Sequence, residues 1–342
     1  MGCNDGLWYG IFFDNTHRSK FNFGASNHRF AYFSAEAGLM DYYFIHGDSP
    51  AAILSEYKNL TGATPMPPKW ALGLQQCRYS YYPDTEFIRL AQTYREKDIP
   101  CDVLYYDIHY MDEYKVFTWD KDRFPDPKRL NQELKDLGFH TVAIVDPGIK
   151  EDNNYPIHRE GKEGKVFLTY PDGSPWTADV WPGKSSFPDY TKPSTRSWWA
   201  SHFTQLKQDG VAGFWNDMNE PASWGQDTPN IVQFDWEGQG TSHKEGRNVY
   251  GMQMSRATYE GARQASNGQR PFILTRATYA GGQRFAAKWT GDNVASNEHM
   301  LMGSRMITSL GLSGFPFSGY DVGGFMGDCL LYTSDAADDR VS

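Results

Sequence analysis

Residues 101–108 read Cys-Asp-Val-Leu-Tyr-Tyr-Asp-Ile, a short apolar run that ends close to an aspartate. Similar runs, rich in Val, Ile and aromatic residues, recur along the chain and alternate with helical patterns. The apolar runs lie at 71–78, 101–108, 140–147, 211–218, 271–277, 286–292 and 314–323. The helical patterns lie at 84–97, 127–137, 194–208, 250–265 and 297–310. Seven β units separated by helices predict the α/β class, as a (β/α)8 TIM barrel that lacks its last β/α unit.

A doubly wound open sheet is the alternative for this alternation. Dinucleotide-binding sheets of that kind carry a Gly-x-Gly-x-x-Gly loop after their first strand, and no such loop follows 71–78. The sequence therefore favours the barrel.

An ionisable residue stands at or near the end of every apolar run. In chain order these residues are Arg78, Asp107, Asp146, Asp217, Arg276, Asp292 and Asp321. A barrel brings the carboxyl ends of all its strands to one face, where active sites form. We therefore expect five carboxylates and two guanidinium groups to converge there, although one or two of them could be structural.

Composition narrows the classes of function. The 342 residues include 42 Asp and Glu against 33 Lys and Arg, a formal charge of −9 that argues against a nucleic-acid partner. Mean hydropathy is −0.63 and no long apolar run occurs, so no membrane span is predicted.

The four cysteines are scattered without metal-ligand spacing, which predicts neither a zinc site nor a disulfide framework. Localisation stays open, with the cytoplasm as the default.

Converging carboxylates suit either metal binding or the cleavage of a glycosidic bond. No His pair at metal spacing and no calcium-loop motif occurs, so we predict no metal and no cofactor. Aromatic residues make up 15% of the chain, and those that flank the carboxylates favour a sugar. Glycoside cleavage needs one ionised and one protonated carboxyl group, and Asp217 and Asp292 come from separate strands that can face each other.

Composition shifts divide the chain into three parts. Residues 1–64 contain aromatic-rich strands, a helix at 50–60 and the start of a Pro-rich linker, which predicts the C-terminal part of an N-terminal β-sandwich. Residues 65–328 are the predicted catalytic barrel, with an insertion at about 150–193. Residues 329–342 break the preceding pattern, and we expect a non-native tail there.

The nonapeptide at 213–221, Gly-Phe-Trp-Asn-Asp-Met-Asn-Glu-Pro, closely resembles the nucleophile signature of glycoside hydrolase family 31, the α-glucosidase family. Further blocks agree with the family in order. They lie at 107–112 with 117–120, 144–149, 180–183, 272–276 leading into 289–293, and 319–325. The resemblance runs from about residue 5 to residue 328. It implies that the family's eighth strand, and a His that reaches the same pocket, fall beyond this sequence.

The resemblance also implies a mechanism and a set of site residues. It implies a retaining, exo-acting α-glucosidase that releases terminal glucose from α-glucoside oligosaccharides by double displacement. Asp217 would be the nucleophile and Asp292 the general acid/base, while Asp107 and Arg276 would bind sugar hydroxyls. The implied pocket wall comprises Ile144, Trp181, Trp215, Met218, Trp289 and Phe325, with Ile108 beside it. Glu220 is interpreted as a supporting residue of the loop.

Several alternatives stay open at this point. An α-xylosidase or a transglucosidase shares the scaffold, and the subsite residues do not fix the linkage. An inactive sugar-binding fragment is the alternative from another class. The oligomeric state is not predicted. For the retaining mechanism we predict that the carboxyl groups of Asp217 and Asp292 lie about 5–6 Å apart.

Overall fold

The computed structural model describes residues 1–327; residues 328–342, which include the predicted tail at 329–342, lie outside the described residues. The first part of the chain is antiparallel β-structure followed by one helix. Its elements are β1 (Gly2–Asn4), β2 (Leu7–Phe13), β3 (Ser19–Asn22), β4 (Tyr32–Ala35), β5 (Tyr42–Gly47) and α1 (Pro50–Thr61). The strands pair as β1-β2-β5 and as a β3-β4 hairpin.

Two of these strands are absent from the sequence-based prediction. β1 has only three residues. β3 (Ser-Lys-Phe-Asn) falls where a polar turn was expected, and it is held by pairing with β4, in which Phe21 lies opposite Phe33. Helix α1 agrees with the prediction, because Ser49 caps its N-terminus through a bond from the Ala52 N–H and Gly62 ends it at a φ of 93°.

From residue 69 onward, strands and helices alternate. The strands are β6 (Gln75–Gln76), β7 (Val103–Tyr106), β8 (His140–Val145), β9 (Ile149–Lys150), β10 (Thr177–Val180), β11 (Gly183–Ser186), β12 (Gly213–Asn216), β13 (Gln233–Phe234), β14 (Thr241–Ser242), β15 (Ile273–Thr275), β16 (Ala287–Trp289) and β17 (Ser318–Gly319). The helices are α2 (Asp84–Glu96), α3 (Pro127–Asp136), α4 (Pro156–Glu163), α5 (Pro193–Ser201), α6 (Phe203–Gln208), α7 (His243–Ala265) and α8 (Asn297–Gly311).

Seven of these strands form one parallel sheet in the order β17-β16-β15-β12-β8-β7-β6. Every neighbour in the sheet is also the next of these seven along the chain, as in a barrel and unlike a doubly wound sheet. β7 and all but the first residue of β8 are buried, as expected for strands that are covered on both faces. The predicted fold class, a (β/α) barrel with seven β units, is confirmed.

Two helices differ from their predicted bounds. The pattern at 194–208 predicted one helix, but the structure has two, α5 and α6, joined at His202. Helix α7 begins seven residues before the predicted start at 250. Its polar first turns lack an apolar period, and they are fixed instead by local bonds, including the one that the Thr241 hydroxyl donates to Glu245. No helix within residues 1–327 combines the length and the apolar character needed to cross a bilayer.

The predicted insertion after β8 is a small folded layer. Strands β9, β11 and β10 form an antiparallel sheet, and Trp181 lies in the tight turn between β10 and β11. The segment after β12 joins this layer, because the main-chain N–H of Trp224 donates to the carbonyl of Asp179. The insertion therefore carries aromatic side chains to the carboxyl side of the parallel sheet.

The N-terminal part contacts the loop that follows β15. The Tyr279 hydroxyl donates to the carbonyl of Asn15 over 2.9 Å, and the Gln283 amide donates to the carbonyl of Gly62 over 2.9 Å. Helix α7 adds a third bond, from the Asn248 amide to the carbonyl of Thr16. These contacts tie residues 1–64 to the part of the barrel that carries Arg276.

Candidate active site

The carboxyl ends of four strands present the charged residues that the sequence singled out. Asp107 follows β7 directly, Asp217 follows β12, and Arg276 follows β15. Asp292 lies three residues beyond β16, after the turn at Gly291. The structure thus brings together residues that are up to 185 positions apart in the sequence.

Arg276 lies at the centre of this cluster. Its Nη1 atom is 3.1 Å from Oδ1 of Asp217 and 4.0 Å from Oδ2 of Asp292. These two carboxylate oxygens are therefore no more than about 7 Å apart, an upper bound that admits the separation of about 5–6 Å predicted for a retaining pair. The Asp217 side chain is 12% exposed and that of Asp292 is 40% exposed, so the two carboxyl groups occupy different environments.

The other edge of the Arg276 guanidinium is held by Glu220. Nε lies 2.9 Å from Oε1 of Glu220, and Nη2 donates to Oε2 over 3.1 Å. Nη2 also contacts the sulfur of Met218 at 3.2 Å. A two-bond arginine–carboxylate pair fixes the plane of the guanidinium, which leaves Nη1 to face the two aspartates.

Burial sets the protonation of the nearby carboxyl groups. It raises the pKa of Asp217 to about 6, while the Arg276 guanidinium and the main-chain N–H of Met218 oppose that rise. Burial likewise raises the pKa of Asp107 to about 7, against the hydrogen bond that its Oδ1 accepts from the Ile108 N–H over 2.6 Å. The pKa of Asp321 is raised to about 7 by burial and by the charge of Asp292.

Asp146 is a further buried carboxyl group of this cluster. It follows β8, is buried, and has one carboxylate oxygen without a hydrogen-bond partner among the described residues. Burial, together with the charges of Asp217 and Asp107, raises its pKa well above the usual value. The strand-end pattern pointed to Asp146 and Asp321, but no specific site role was predicted for either.

The predicted apolar residues surround the cluster at different depths. Ile108 and Ile144 are almost completely buried, and the carbonyl of Ile144 accepts the Tyr110 hydroxyl over 2.8 Å. Trp215 and Trp289 are buried and pack edge to face with centroids 5.4 Å apart. The Nε1–H of Trp215 is a buried donor without an acceptor among the described residues.

The remaining predicted aromatic residues lie nearer the surface. Trp181 packs edge to face on Trp224 at 5.0 Å and contacts Tyr79 at 6.0 Å. The Phe325 side chain is exposed, and its main-chain N–H donates to the carbonyl of Asn293, next to Asp292. The sequence analysis did not single out Tyr79 and Trp224 as site residues. Their positions, shortly after β6 and shortly after the 213–221 block, could have indicated that they lie near the site. Arg78, also near the end of β6, is exposed.

Residues 1–327 contain no group of three or more His, Cys, Asp or Glu side chains that could together hold a metal ion. The convergent carboxylates instead surround an arginine, and aromatic rings flank them. Such an arrangement can bind a neutral polyhydroxylated ligand and supply both a buried and a more exposed carboxyl group.

Comparison with known proteins assigns this arrangement to a family. The model described as "Glycosyl hydrolases family 31 TIM-barrel domain" matches residues 64–337. The chain belongs to glycoside hydrolase family 31. The resemblance drawn from the 213–221 block is therefore confirmed. Alpha-glucosidase 2 of Bacillus thermoamyloliquefaciens is 48% identical over 327 residues, which cover 95% of this chain and 41% of that protein.

Other family 31 members agree with this assignment. Neutral alpha-glucosidase AB of Homo sapiens is 38% identical over 295 residues, covering 85% of this chain and 31% of the relative. The crystal structure of a family 31 alpha-glucosidase from Bacteroides thetaiotaomicron superposes with a TM-score of 0.83 at 41% identity, over 95% of this chain and 53% of that one. The chain spans less than half the length of these two curated relatives.

Proposed function

We propose that this chain carries the catalytic centre of a retaining, exo-acting α-glucosidase that removes terminal α-linked glucose from oligosaccharides. The observation that supports this most directly is the position of Arg276 Nη1, 3.1 Å from Asp217 and 4.0 Å from Asp292. Two carboxyl groups so close to one cation, one buried and one more exposed, suit double displacement.

In this proposal Asp217 is the nucleophile and Asp292 the general acid/base. The Asp217 carboxylate attacks the anomeric carbon and forms an ester bond, while the bond from that carbon to the leaving oxygen breaks. Asp292 gives its proton to the leaving oxygen. In the second step Asp292 takes a proton from water, whose oxygen attacks the anomeric carbon and returns Asp217 as a carboxylate.

The other predicted residues would bind the sugar. Asp107 and Arg276 offer hydrogen-bond partners for the hydroxyls of the terminal glucose, and Trp215 offers its unused Nε1–H. The wall would be formed by Ile108, Ile144, Trp181, Trp215, Met218, Trp289 and Phe325. Aromatic faces match the C–H faces of a pyranose and exclude water from the charged groups.

The names of similar proteins support this substrate class. The relatives from Bacillus and Homo sapiens are alpha-glucosidases by name. A glucosidase II alpha subunit, 35% identical and with a TM-score of 0.86, was crystallised bound to alpha3-Glc2. An α-glucoside oligosaccharide is therefore the proposed ligand of this chain, and its linkage is to be measured with α-1,3-, α-1,4- and α-1,6-linked disaccharides.

We also propose the division drawn from the sequence. Residues 65–328 would form the catalytic barrel with the insertion at about 150–193, and residues 1–64 a β-structured unit with a linker. The family match that begins at residue 64 supports the boundary. Limited proteolysis should cut first near residues 61–68, and a first cut inside the barrel would contradict the division.

The experiment measures hydrolysis of 4-nitrophenyl α-D-glucoside by the purified chain and by two variants. Asp217→Ala should abolish hydrolysis. Asp292→Ala should lose more activity on disaccharides than on aryl glucosides, and azide should speed the turnover of aryl glucosides, because it attacks the β-glucosyl ester from the α face and releases an α-glucosyl azide. The matched control is Asp122→Ala, since Asp122 is exposed and distant in the sequence from the strand ends.

The anomer released first, followed by NMR, tests the stereochemistry. The proposal predicts α-glucose; release of β-glucose would overturn the retaining mechanism. Binding of glucosides without any turnover would favour the sugar-binding alternative, and turnover of α-xylosides alone would favour the xylosidase alternative.

A further inference from the structure

Lys288 is a half-buried cation whose ammonium group binds main-chain carbonyl oxygens rather than a carboxylate. It lies in the middle of β16, and its Nζ donates to the carbonyl oxygens of Arg276 and Trp289. Among the described residues, no carboxylate lies within ion-pair distance of this ammonium group. The charges that act on its pKa are those of Glu220 and Asp217, which raise it, and that of Arg276, which lowers it.

The main-chain carbonyl of Arg276 needs a hydrogen-bond donor from outside the sheet. The pairing of β15 with β16 ends at Thr275 opposite Lys288, so the carbonyl of the next residue lies beyond the paired ladder. A carbonyl that leaves a parallel sheet has to find another partner, and the Lys288 side chain provides it. On the other side, the main-chain N–H of Arg276 donates to the carbonyl of Asn216 over 3.1 Å.

Both main-chain polar groups of Arg276 are thus occupied, one by β12 and one by β16. Its side chain is bound by Glu220 through Nε and Nη2, and only Nη1 faces Asp217 and Asp292. Burial lowers the pKa of Lys288 to about 8, so this ammonium group is held at an energetic cost. An apolar side chain of similar length would avoid that cost but would leave the carbonyl without its donor.

We propose that Lys288 is a positioning residue that fixes the main chain of Arg276, and thereby holds the guanidinium against Asp217 and within reach of Asp292. This rests on the proposed function, because it assigns Lys288 a role in presenting the nucleophile. Lys288 itself touches neither the substrate nor the reacting atoms; its effect passes through Arg276.

The chain contains a matched control. Lys207 in α6 is equally buried, its pKa is also lowered to about 8 by burial, and its Nζ donates to the carbonyl of Ala212 over 3.1 Å. Ala212 directly precedes β12, at the amino end of the sheet, opposite the site. Lys288→Met and Lys207→Met therefore remove the same kind of bond at opposite ends of the barrel.

The test uses an α-configured cyclitol epoxide that labels the nucleophile, with the intact mass of the full chain as readout. Both Met variants should lower the melting temperature. Only Lys288→Met should slow labelling, by about 10- to 100-fold, since a small misplacement of a charged group at the site has an effect of that size. It should also move the acid limb of the labelling rate to higher pH, because Arg276 recedes from Asp217. Lys288→Arg should restore most of the rate.

A crystal structure of Lys288→Met tests, independently of activity, whether Lys288 positions Arg276. The proposal predicts that Nη1 of Arg276 moves out of hydrogen-bond distance from Asp217. It is overturned if the 3.1 Å contact persists, or if Lys288→Met labels at the wild-type rate with the wild-type pH dependence. If the wild-type chain does not label at all, the proposed function fails, and the Arg276 position in the variant still tests the role of Lys288.

Discussion

The carboxylate of Glu220 and the guanidinium of Arg276 form a two-bond ion pair, with contacts of 2.9 Å and 3.1 Å. This pair uses the Nε edge of Arg276 and leaves the opposite nitrogen for the aspartates. Glu220 lies in the loop after β12, three residues beyond Asp217, so one loop supplies both a carboxylate at the site and the group that orients the arginine.

Removing this carboxylate should impair the site without unfolding the chain. Glu220→Ala is expected to lower kcat/KM for aryl α-glucosides by about 10- to 100-fold, because Arg276 loses its fixed plane. Steady-state kinetics measure the effect. Glu133→Ala is the control, since Glu133 pairs with Arg129 on the exposed surface, and an equal loss there would contradict the interpretation.

The pKa of Asp217 predicts the acid side of the pH profile. Only the ionised carboxylate attacks, so the acid limb of kcat/KM should rise with pH through about 6. Because Arg276 opposes the rise of this pKa, Arg276→Met should move the acid limb to higher pH. Rates measured between pH 4 and pH 8 test both expectations, and an unchanged limb in the variant would contradict the assignment.

The buried Asp107 should make stability depend on pH. Its pKa is about 7 in the folded chain and near 3.8 when exposed, so the folded state holds the proton more tightly. The stability that this proton provides is present at low pH and is lost as the pH rises from about 4 towards 7. Asp107→Asn avoids the loss and should be more stable than the wild type at pH 8, on the order of a few kcal/mol, with little difference at pH 4.

Denaturant unfolding at the two pH values measures this difference. The exposed Asp122→Asn serves as the comparison and should follow the wild type at both. The prediction is wrong if Asp107→Asn tracks the wild type at pH 8. The variant should also lose glucosidase activity, which would separate stability from function at one position.

Helix α7 packs closely on the loops around the site at Gly251. A Cβ there would lie 2.6 Å from the carbonyl oxygen of Ala277 and 2.7 Å from that of Asn219. Gly251→Ala should therefore destabilise the chain by about 1–3 kcal/mol, because neither main-chain oxygen can move without disturbing the site. Gly311→Ala has no atom within 4 Å of its new Cβ and should be neutral or slightly stabilising. Thermal unfolding of the pair gives the comparison, and equal melting temperatures would contradict it.

Strand order and strand ends were predictable because both follow from local patterns. An apolar run followed by Asp107 or Asp217 marks a strand and its carboxyl end, and a barrel collects such ends on one face. The partner of Arg276 was not predictable in the same way, since Glu220 is 56 residues away and the contact depends on the path of two loops. Lys288 gave no signal at all, because a lysine inside a short strand does not reveal which carbonyl it reaches.

The early start of α7 and the β3-β4 hairpin illustrate a second limit. The first turns of α7 and strand β3 are mostly polar, and their structure comes from local bonds and from pairing with β4 rather than from an apolar period. The sequence predicted only some of the aromatic residues near the site. Trp215 and Trp289 were expected at the pocket and do pack on each other, whereas Tyr79 was missed although it neighbours Trp181.

The neighbour-by-neighbour order of the parallel sheet bears on how the chain acquires its structure. Each strand of this seven-stranded sheet from β7 onward pairs with the sheet strand that precedes it in the sequence, so a chain leaving the ribosome exposes the edge that the next sheet strand needs. Strand-by-strand assembly in that order would place Asp107 and Asp146 first and Asp217 next, and Asp292 would follow only when β16 is added. A nascent chain arrested before residue 286 would therefore hold most of the sheet and yet have no acid/base group opposite Asp217.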